Sequence, residues 1–546
     1  MRSFSAALAA CALALLAPGG ASAQAPADSA EQVKAAVLNL IRALVDQGVL
    51  TAAKAQEMLR QAGIDPAVLS APQVTPGVPP ASPEPPKSVV RVPYVPETVK
   101  DEIRNEVKQE VLAQARAERW GEPGALPEWL NRISLYGDVK IRFQSDRYAS
   151  DNAVVQQIDA GFGQPQGNTL DSTEARDRVR VRGRLGLEDK VSETVQAGVR
   201  IVTTGPNEDP YNPTSEYFDV GQYGQRYSAT FDLAYIRWNI LPSLSWSGGR
   251  VNNPYLGTDL VWAADFTFDG TNVRWHPRLS ESWSHFTTLG AYWIESTSNA
   301  PGVASNNAWL YAAQTGLEAA WADHSTFTLG AAYFDFYKLE GRLNPALPFG
   351  NSIYANTAVP FRKPGNTTFD INFLSNPNSP TYALASKFKL LDVFERVEWG
   401  LFEPVKIGLT AEFVRNLGFD STEIANRIGP AAQALPQDRN GATGLQRPRV
   451  NGYLAELKIG ARDILNRGDW NAFTGYRRLD RDSTVAEFTS ADYRLGGTDQ
   501  QSSYFGFGYG LARNTSLIAR YISAKSLDLA PKYNIDTLLI DVQTKF

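Results

Sequence analysis

From Ile133 to the end the chain alternates. In "ISLYGDVKIRFQ" the apolar Ile133, Leu135, Val139, Ile141 and Phe143 are interleaved with Ser134, Asp138, Lys140, Arg142 and Gln144. The same period of two runs through "VQAGVRIV" (195–202), "VKIGLTAEF" (405–413), "YLAELKIG" (453–460), "YFGFGYGL" (504–511) and the closing "IDTLLIDVQTKF" (535–546). Successive side chains of a strand point to opposite faces, so each segment predicts a strand with one apolar and one polar face. The sharpest case is "RVRVRGRLGL" (178–187). Arg178, Arg180, Arg182 and Arg184, extended by Arg176, share one face, and Val179, Val181, Gly183, Leu185 and Leu187 share the other. A soluble sheet with its arginines in water accepts such a strand. So does a membrane barrel whose apolar face meets lipid and whose arginines face an aqueous lumen.

The whole C-terminal region favours the barrel. Its apolar faces carry Val, Leu, Ala and aromatics with charge nearly absent, and the opposite faces are charged or glycine. An arginine held at the lipid midplane costs roughly 2–4 kcal/mol, so the row must face inward. "FDLAYIRWNI" (231–240) is apolar on both faces, which suits a strand covered by a partner or by an inward loop. The spacing predicts about sixteen strands, with eighteen the other count it allows, because spanning strands are short and alternate between tight turns and long loops. The long polar inserts fall near 145–175, 204–227, 341–380 and 416–448. The predicted fold class is therefore all-β, a transmembrane antiparallel β-barrel over 131–546, preceded by a small helical N-terminal region.

That N-terminal region has a different texture. Arg2 followed by the small and apolar residues 4–17 and by Ala21-Ser22-Ala23 reads as a secretory signal, 1–23, with an A-x-A cleavage site. Leu8-Ala9-Ala10-Cys11 mimics a lipoprotein box, but the apolar run continues past the cysteine. Within 24–64, Val33, Ala36, Val37, Leu40, Ile41, Leu44 and Val45 mark an amphipathic helix that Gly48 stops, and a second short helix follows as the other arm of a hairpin. Residues 65–98 form a Pro-rich, semi-rigid linker. In 99–119 a narrow stripe of Val99, Ile103, Val107, Val111 and Ala115 fits a coiled-coil-like helix that pairs with its own copies, or a solvated single helix.

Composition narrows the function. The net charge of −5 argues against a nucleic-acid partner, which needs a basic surface. Cys11 is the only cysteine, and His276, His285 and His324 are the only histidines. A hydrolase would need a nucleophile with a histidine base, yet Ser284 and His285 are adjacent in one strand and point to opposite faces. Gly506, Gly508 and Gly510 alternate inside a strand and open no helix, so they are no dinucleotide loop. No enzyme activity, cofactor or metal is expected.

The stretch "GRVNNPYLGTDLVWAADFTFDG" (249–270) resembles a motif of the bacterial putative porin family, through Gly249, Arg250, Asn253, Pro254, Val261, Trp262, Asp265, Asp269 and Gly270. Ala263 departs from it, standing where an acidic residue is common. "DQGVLTAAKAQEML" (46–59), "VKDEIRNEVKQEVLAQAR" (99–116) and "LYGDVKIRF" (135–143) are similar to that family's N-terminal helices and first strand. The resemblance implies an outer-membrane porin passing small hydrophilic solutes or ions, embedded in outer-membrane lipid, with its helices in the periplasm and a homotrimeric assembly. It also implies that Phe546 is the terminal aromatic presented to the barrel-assembly machinery.

On this reading Arg142, Arg176, Arg178, Arg180, Arg182, Arg184 and Arg200 line the pore as a cationic wall that favours anions. The 204–227 insert, with Glu208, Asp209, Glu216 and Asp219, is the candidate constriction loop. If it folds inward it opposes the arginines; otherwise it is an ordinary extracellular loop. The rival reading is an outer-membrane adhesin or structural anchor with a plugged barrel.

Overall fold

The computed structural model describes residues 132–546 except 153–154, 160–167, 205–216, 222, 225, 297–301, 347–351, 360–361, 403–404 and 529–531. The expected signal (1–23), helices (24–64 and 99–119) and Pro-rich linker (65–98) lie outside the described residues.

The alternating texture folds into sixteen long strands. The first eight are β1 (Ile133–Tyr148), β2 (Arg176–Asp189), β3 (Val195–Thr204), β4 (Ser228–Leu241), β5 (Leu244–Asn252), β6 (Thr267–Trp275), β7 (Trp283–Ser296) and β8 (Asn307–Ala320). The second eight are β9 (Thr326–Tyr337), β10 (Phe388–Phe402), β11 (Val405–Asn416), β12 (Asn451–Gly460), β13 (Trp470–Leu479), β14 (Gln500–Ala512), β15 (Thr515–Ser526) and β16 (Asn534–Lys545). Each pairs antiparallel with its chain neighbours, and β16 returns to β1 with Ile141 opposite Val542 and Arg142 opposite Asp541. The sheet is thus a closed barrel. Closure follows from the solvent, because an open edge in hydrocarbon would strand unpaired backbone N–H and C=O groups.

Short connections gather at one end: 190–194, 242–243, 276–282, 321–325, 461–469 and 513–514, together with Ile133 and Phe546. The other end carries the long loops. At the closing seam the backbone of Phe546 exchanges hydrogen bonds with Gly137 (2.9 and 3.0 Å). The Phe546 ring lies where a Cβ on Gly137 would stand, as does the Arg184 carbonyl.

The faces separate as the alternation demands. Leu135, Val139, Ile141 and Phe143 of β1 are exposed outward, while Asp138, Arg142, Gln144 and Asp146 are buried inside. Exposed Trp238, Trp275, Trp283, Trp321, Trp399 and Trp470 mark the short-turn end. Trp293, Tyr311, Tyr337 and Tyr453 mark the other, and these two girdles flank the apolar band as in membrane barrels.

Two inward features break the simple pattern. A two-residue strand, Phe218–Asp219, joins the wall where β2 and β3 part above the Arg184–Val202 pair, and sets Asp219 opposite Arg180. The inner faces of β8 to β13 are apolar near the long-loop end. Leu310, Phe334, Phe336, Leu390, Val414, Leu454 and Leu479 form one buried cluster with residues of the loops 253–266 and 480–499. The long loops build a second core around α1 (Ser421–Ile428). Asp420 caps this helix by accepting from the Thr422 and Glu423 amides (2.9 and 3.1 Å), and Ile424 and Ile428 pack with Phe369 and Ile371.

Candidate functional site

The arginine row lies on the inner face of β2, and every member has a carboxylate partner. Arg176, Arg178 and Arg180 reach Asp219 (3.3, 3.7 and 2.8 Å), and Arg178 also reaches Asp146 (3.0 Å). Arg182 binds Asp138 (2.7 Å) and Asp265 (3.1 Å), and Arg184 donates to Asp265. On β1, Arg142 clamps Asp541 through Nε and Nη2 (2.7 and 2.8 Å) and reaches Asp492 (2.5 Å). On β3, Arg200 pairs with Asp232 (2.5 Å). The expected cationic wall is therefore a lattice of ion pairs. Register explains part of it: Arg142 lies directly opposite Asp541, and Asp138 opposite Arg184, on paired strands.

Of the candidate constriction loop, Glu208, Asp209 and Glu216 lie outside the described residues. Asp219 is brought to the arginines, and Tyr217 comes with it. The Tyr217 ring stacks among Arg142, Arg180, Arg182 and Lys140, whose charged groups are 4.6, 5.1, 5.7 and 5.9 Å from its centroid. Such packing satisfies cations by the ring quadrupole as well as by carboxylates. Burial pushes the Tyr217 hydroxyl up, so it stays a neutral donor.

The segment that crosses the lumen is 253–266, the stretch that carries the family-like motif. Leu256 exchanges hydrogen bonds with the Gln314 amide on β8 (2.8 and 2.6 Å). The Thr258 amide donates to Glu412 on β11 (2.5 Å), and the Asp259 carbonyl accepts from Arg477 on β13 (3.3 Å). Asp265 then meets Arg182 on β2. Trp262 anchors the middle, its ring 4.9–5.9 Å from those of Phe266, Phe268, Phe334, Phe336 and Phe488. Burial raises the Asp265 carboxyl, but Arg182 and Arg184 outweigh it and hold it below the usual range. The same balance, with Arg142 and Arg520 as the cations, holds Asp492 on the 480–499 loop well below that range.

Between this loop and the wall a cavity of about 520 Å³ remains. Lys140, Arg142, Arg180, Tyr217, Asp259, Asp265, Asp492 and Arg520 are among its lining residues. The arrangement presents charged and polar side chains to the cavity from both the wall and the crossing loop.

Asp138 and Lys140 are legible in the sequence as inner-face residues of β1, but nothing in the pattern singles them out. Asp265 is visible there only as part of a resemblance, and Asp492 has no periodic signal. Ala263, where the motif departs from the family, is buried and its amide donates to the Phe488 carbonyl (2.8 Å), so the position serves loop-to-loop packing.

Among solved structures the chain is similar to the outer-membrane channel DcaP of Acinetobacter baumannii at 11% identity and a TM-score of 0.38, covering 76% of this chain and 97% of that one. It is similar to OprB of Pseudomonas putida at 11% identity and a TM-score of 0.41, covering 77% and 96%. It is similar to OmpF of Salmonella typhi at 11% identity and a TM-score of 0.36, covering 76% and 97%. No curated protein matches it in sequence. The family described as "Putative porin" matches residues 34–546, nearly the whole chain, so this closed sixteen-strand barrel belongs to the putative porin family and is an outer-membrane channel.

Proposed function

We propose that the protein is a passive diffusion channel for small hydrophilic solutes or ions. One observation carries this reading: the lumen is crossed by 253–266 yet keeps a charged cavity of about 520 Å³ against the β1–β2 wall. Ion pairing leaves the arginine row little net charge, so its role is to shape and stiffen the wall. An anion preference then depends on whichever cations remain uncompensated. Liposome swelling with a solute panel, together with single-channel conductance in a planar bilayer, tests the proposal. Swelling by small sugars and discrete conductance steps are expected, and an electrically silent, impermeable barrel would overturn it.

The apolar cluster that joins 253–266, 480–499 and the inner faces of β8 to β13 favours the second reading, a plugged anchor, and the same recording decides between the two. The proposal extends to a homotrimer with the 24–64 and 99–119 helices in the periplasm and Phe546 as the assembly signal. Native mass measurement with and without residues 30–117 tests the assembly, and a trimer that is lost on truncation is the expected result.

A further inference from the structure

We infer that Lys140, rather than any arginine of the row, is the residue that meets a permeating anion and sets the charge preference of the channel. This rests on the diffusion-channel reading above. Each arginine of the row is bound to at least one carboxylate, and Arg142 and Arg182 are only 3% exposed. A passing solute that binds a guanidinium held in that way must compete with the aspartate already on it, and the exposed member of the row, Arg176, is shared with Asp219.

Lys140 differs on both counts. It sits between Asp138 and Arg142 on the inner face of β1, opposite Arg182, and lines the cavity half-buried. Among the described residues its ammonium has no ion-pair or hydrogen-bond partner; the face of Tyr217 is 5.9 Å away, and Arg142, Arg182, Asp265 and Asp541, already paired with one another, line the same cavity. The other lysines of the cavity do not match it. Lys458 is 3.8 Å from Glu456, and Lys545 is exposed one residue from the chain end, where water and salt screen it. Among the described residues, the acids facing the same space without an ion pair are Asp259, on the crossing loop beside β13, and Asp463, in the exposed turn between β12 and β13. Lys140 therefore offers a docking point for a carboxylate or phosphate group, and its removal leaves Asp259 and Asp463 to bias the cavity toward cations.

The test is reversal potential across a salt gradient, measured on full-length channels in planar bilayers. Lys140→Gln should shift the anion-to-cation permeability ratio toward cations by about fourfold, the Boltzmann factor of one unit charge about 5 Å away in water. Lys140→Arg should restore it, and Lys545→Gln should leave it unchanged. The charge-balanced pair Arg178→Gln/Asp146→Asn should leave it unchanged as well. In a second arm, Lys140→Cys is placed in a Cys11→Ser background and modified after insertion. A cationic thiosulfonate should return the wild-type ratio, and an anionic one should push it further toward cations. An unchanged ratio in Lys140→Gln, or an introduced thiol at position 140 that no reagent reaches in a conducting channel, overturns the assignment. Absence of any wild-type conductance would overturn the channel reading itself, so the two failures are distinguishable.

Discussion

Trp262 is the residue on which the crossing loop turns, and its removal should loosen the loop while sparing the wall. The indole is 5% exposed and touches five aromatic rings contributed by its own loop, β6, β9 and the 480–499 loop. Truncating a buried tryptophan to alanine costs about 3–5 kcal/mol, transfer and cavity together. At about 1.4 kcal/mol per decade, that raises the undocked population of the loop by roughly a hundred- to several thousandfold. The barrel ladder does not share this cost, because Trp262 lies in no strand and its ring bonds no backbone of the wall. Trp262→Ala should therefore keep the heat-modifiable gel shift of a folded barrel. Its single-channel current should be larger and noisier, and the 253–266 segment should be cut faster by protease. Trp262→Phe keeps most ring contacts and should fall near wild type. Current, noise and cleavage rate all unchanged in Trp262→Ala would refute the claim that the aromatic cluster holds the loop across the lumen.

Arg142→Gln leaves Asp541 and Asp492 facing each other without their shared cation, and breaking a buried pair in this way costs about 3–5 kcal/mol; the urea midpoint of refolded barrels should drop, and Arg142→Gln/Asp541→Asn should recover part of the loss. Burial pushes the Asp482 carboxyl of the 480–499 loop up to about 6, against the bonds it accepts from the Thr367 amide and hydroxyl (2.8 and 2.6 Å). A raised carboxyl binds its proton more tightly when the loop is docked, so docking is firmest below about pH 4 and weakens as pH rises through 6, by about 3 kcal/mol in all. Amide protection factors in 480–499, with the intrinsic pH dependence of exchange divided out, should fall over that window, and Asp482→Asn should flatten the dependence. Gly137→Ala places a methyl group against the Arg184 carbonyl and the Phe546 ring at the closing seam, so the yield of folded barrel should fall severalfold on a cold gel; an undiminished yield would remove the seam contact from the assembly argument.

How much of this was legible in the chain depends on what stands behind each face of a strand. Where water fills the lumen, alternation reads directly: Asp138, Lys140 and Arg142 face inward, and Val139, Ile141 and Phe143 face outward. Where a loop covers the inner face, the signal is lost. Phe334 and Phe336 of β9 are buried inward while Tyr333 and Tyr337 are exposed outward, so both faces of that strand are aromatic and the period of two carries no direction. "FDLAYIRWNI" shows the same ambiguity, and Leu233 within it is fully buried. Glu395 is the converse exception. It lies on the outer face of β10 between Leu329 and Ala411, where alternation with Leu391, Val393 and Val397 places it although its charge would favour the lumen.

The ion-pair lattice was harder to read for a different reason. Five arginines at every second position announce a cationic face, but its net charge depends on partners that periodicity cannot supply. Asp541 arrives because the last strand closes on the first, Asp265 because a loop crosses the lumen, and Asp492 because another descends beside it. All three placements are tertiary. The side chains that stand out in a sequence are therefore those a fold has reason to neutralise. An ordinary lysine two residues from Arg142 is left without an ion pair because, among the described residues, no carboxylate lies within ion-pair distance of it. Selectivity in such a lumen is a property of what pairing leaves over, and it must be sought by subtracting the partners from the wall.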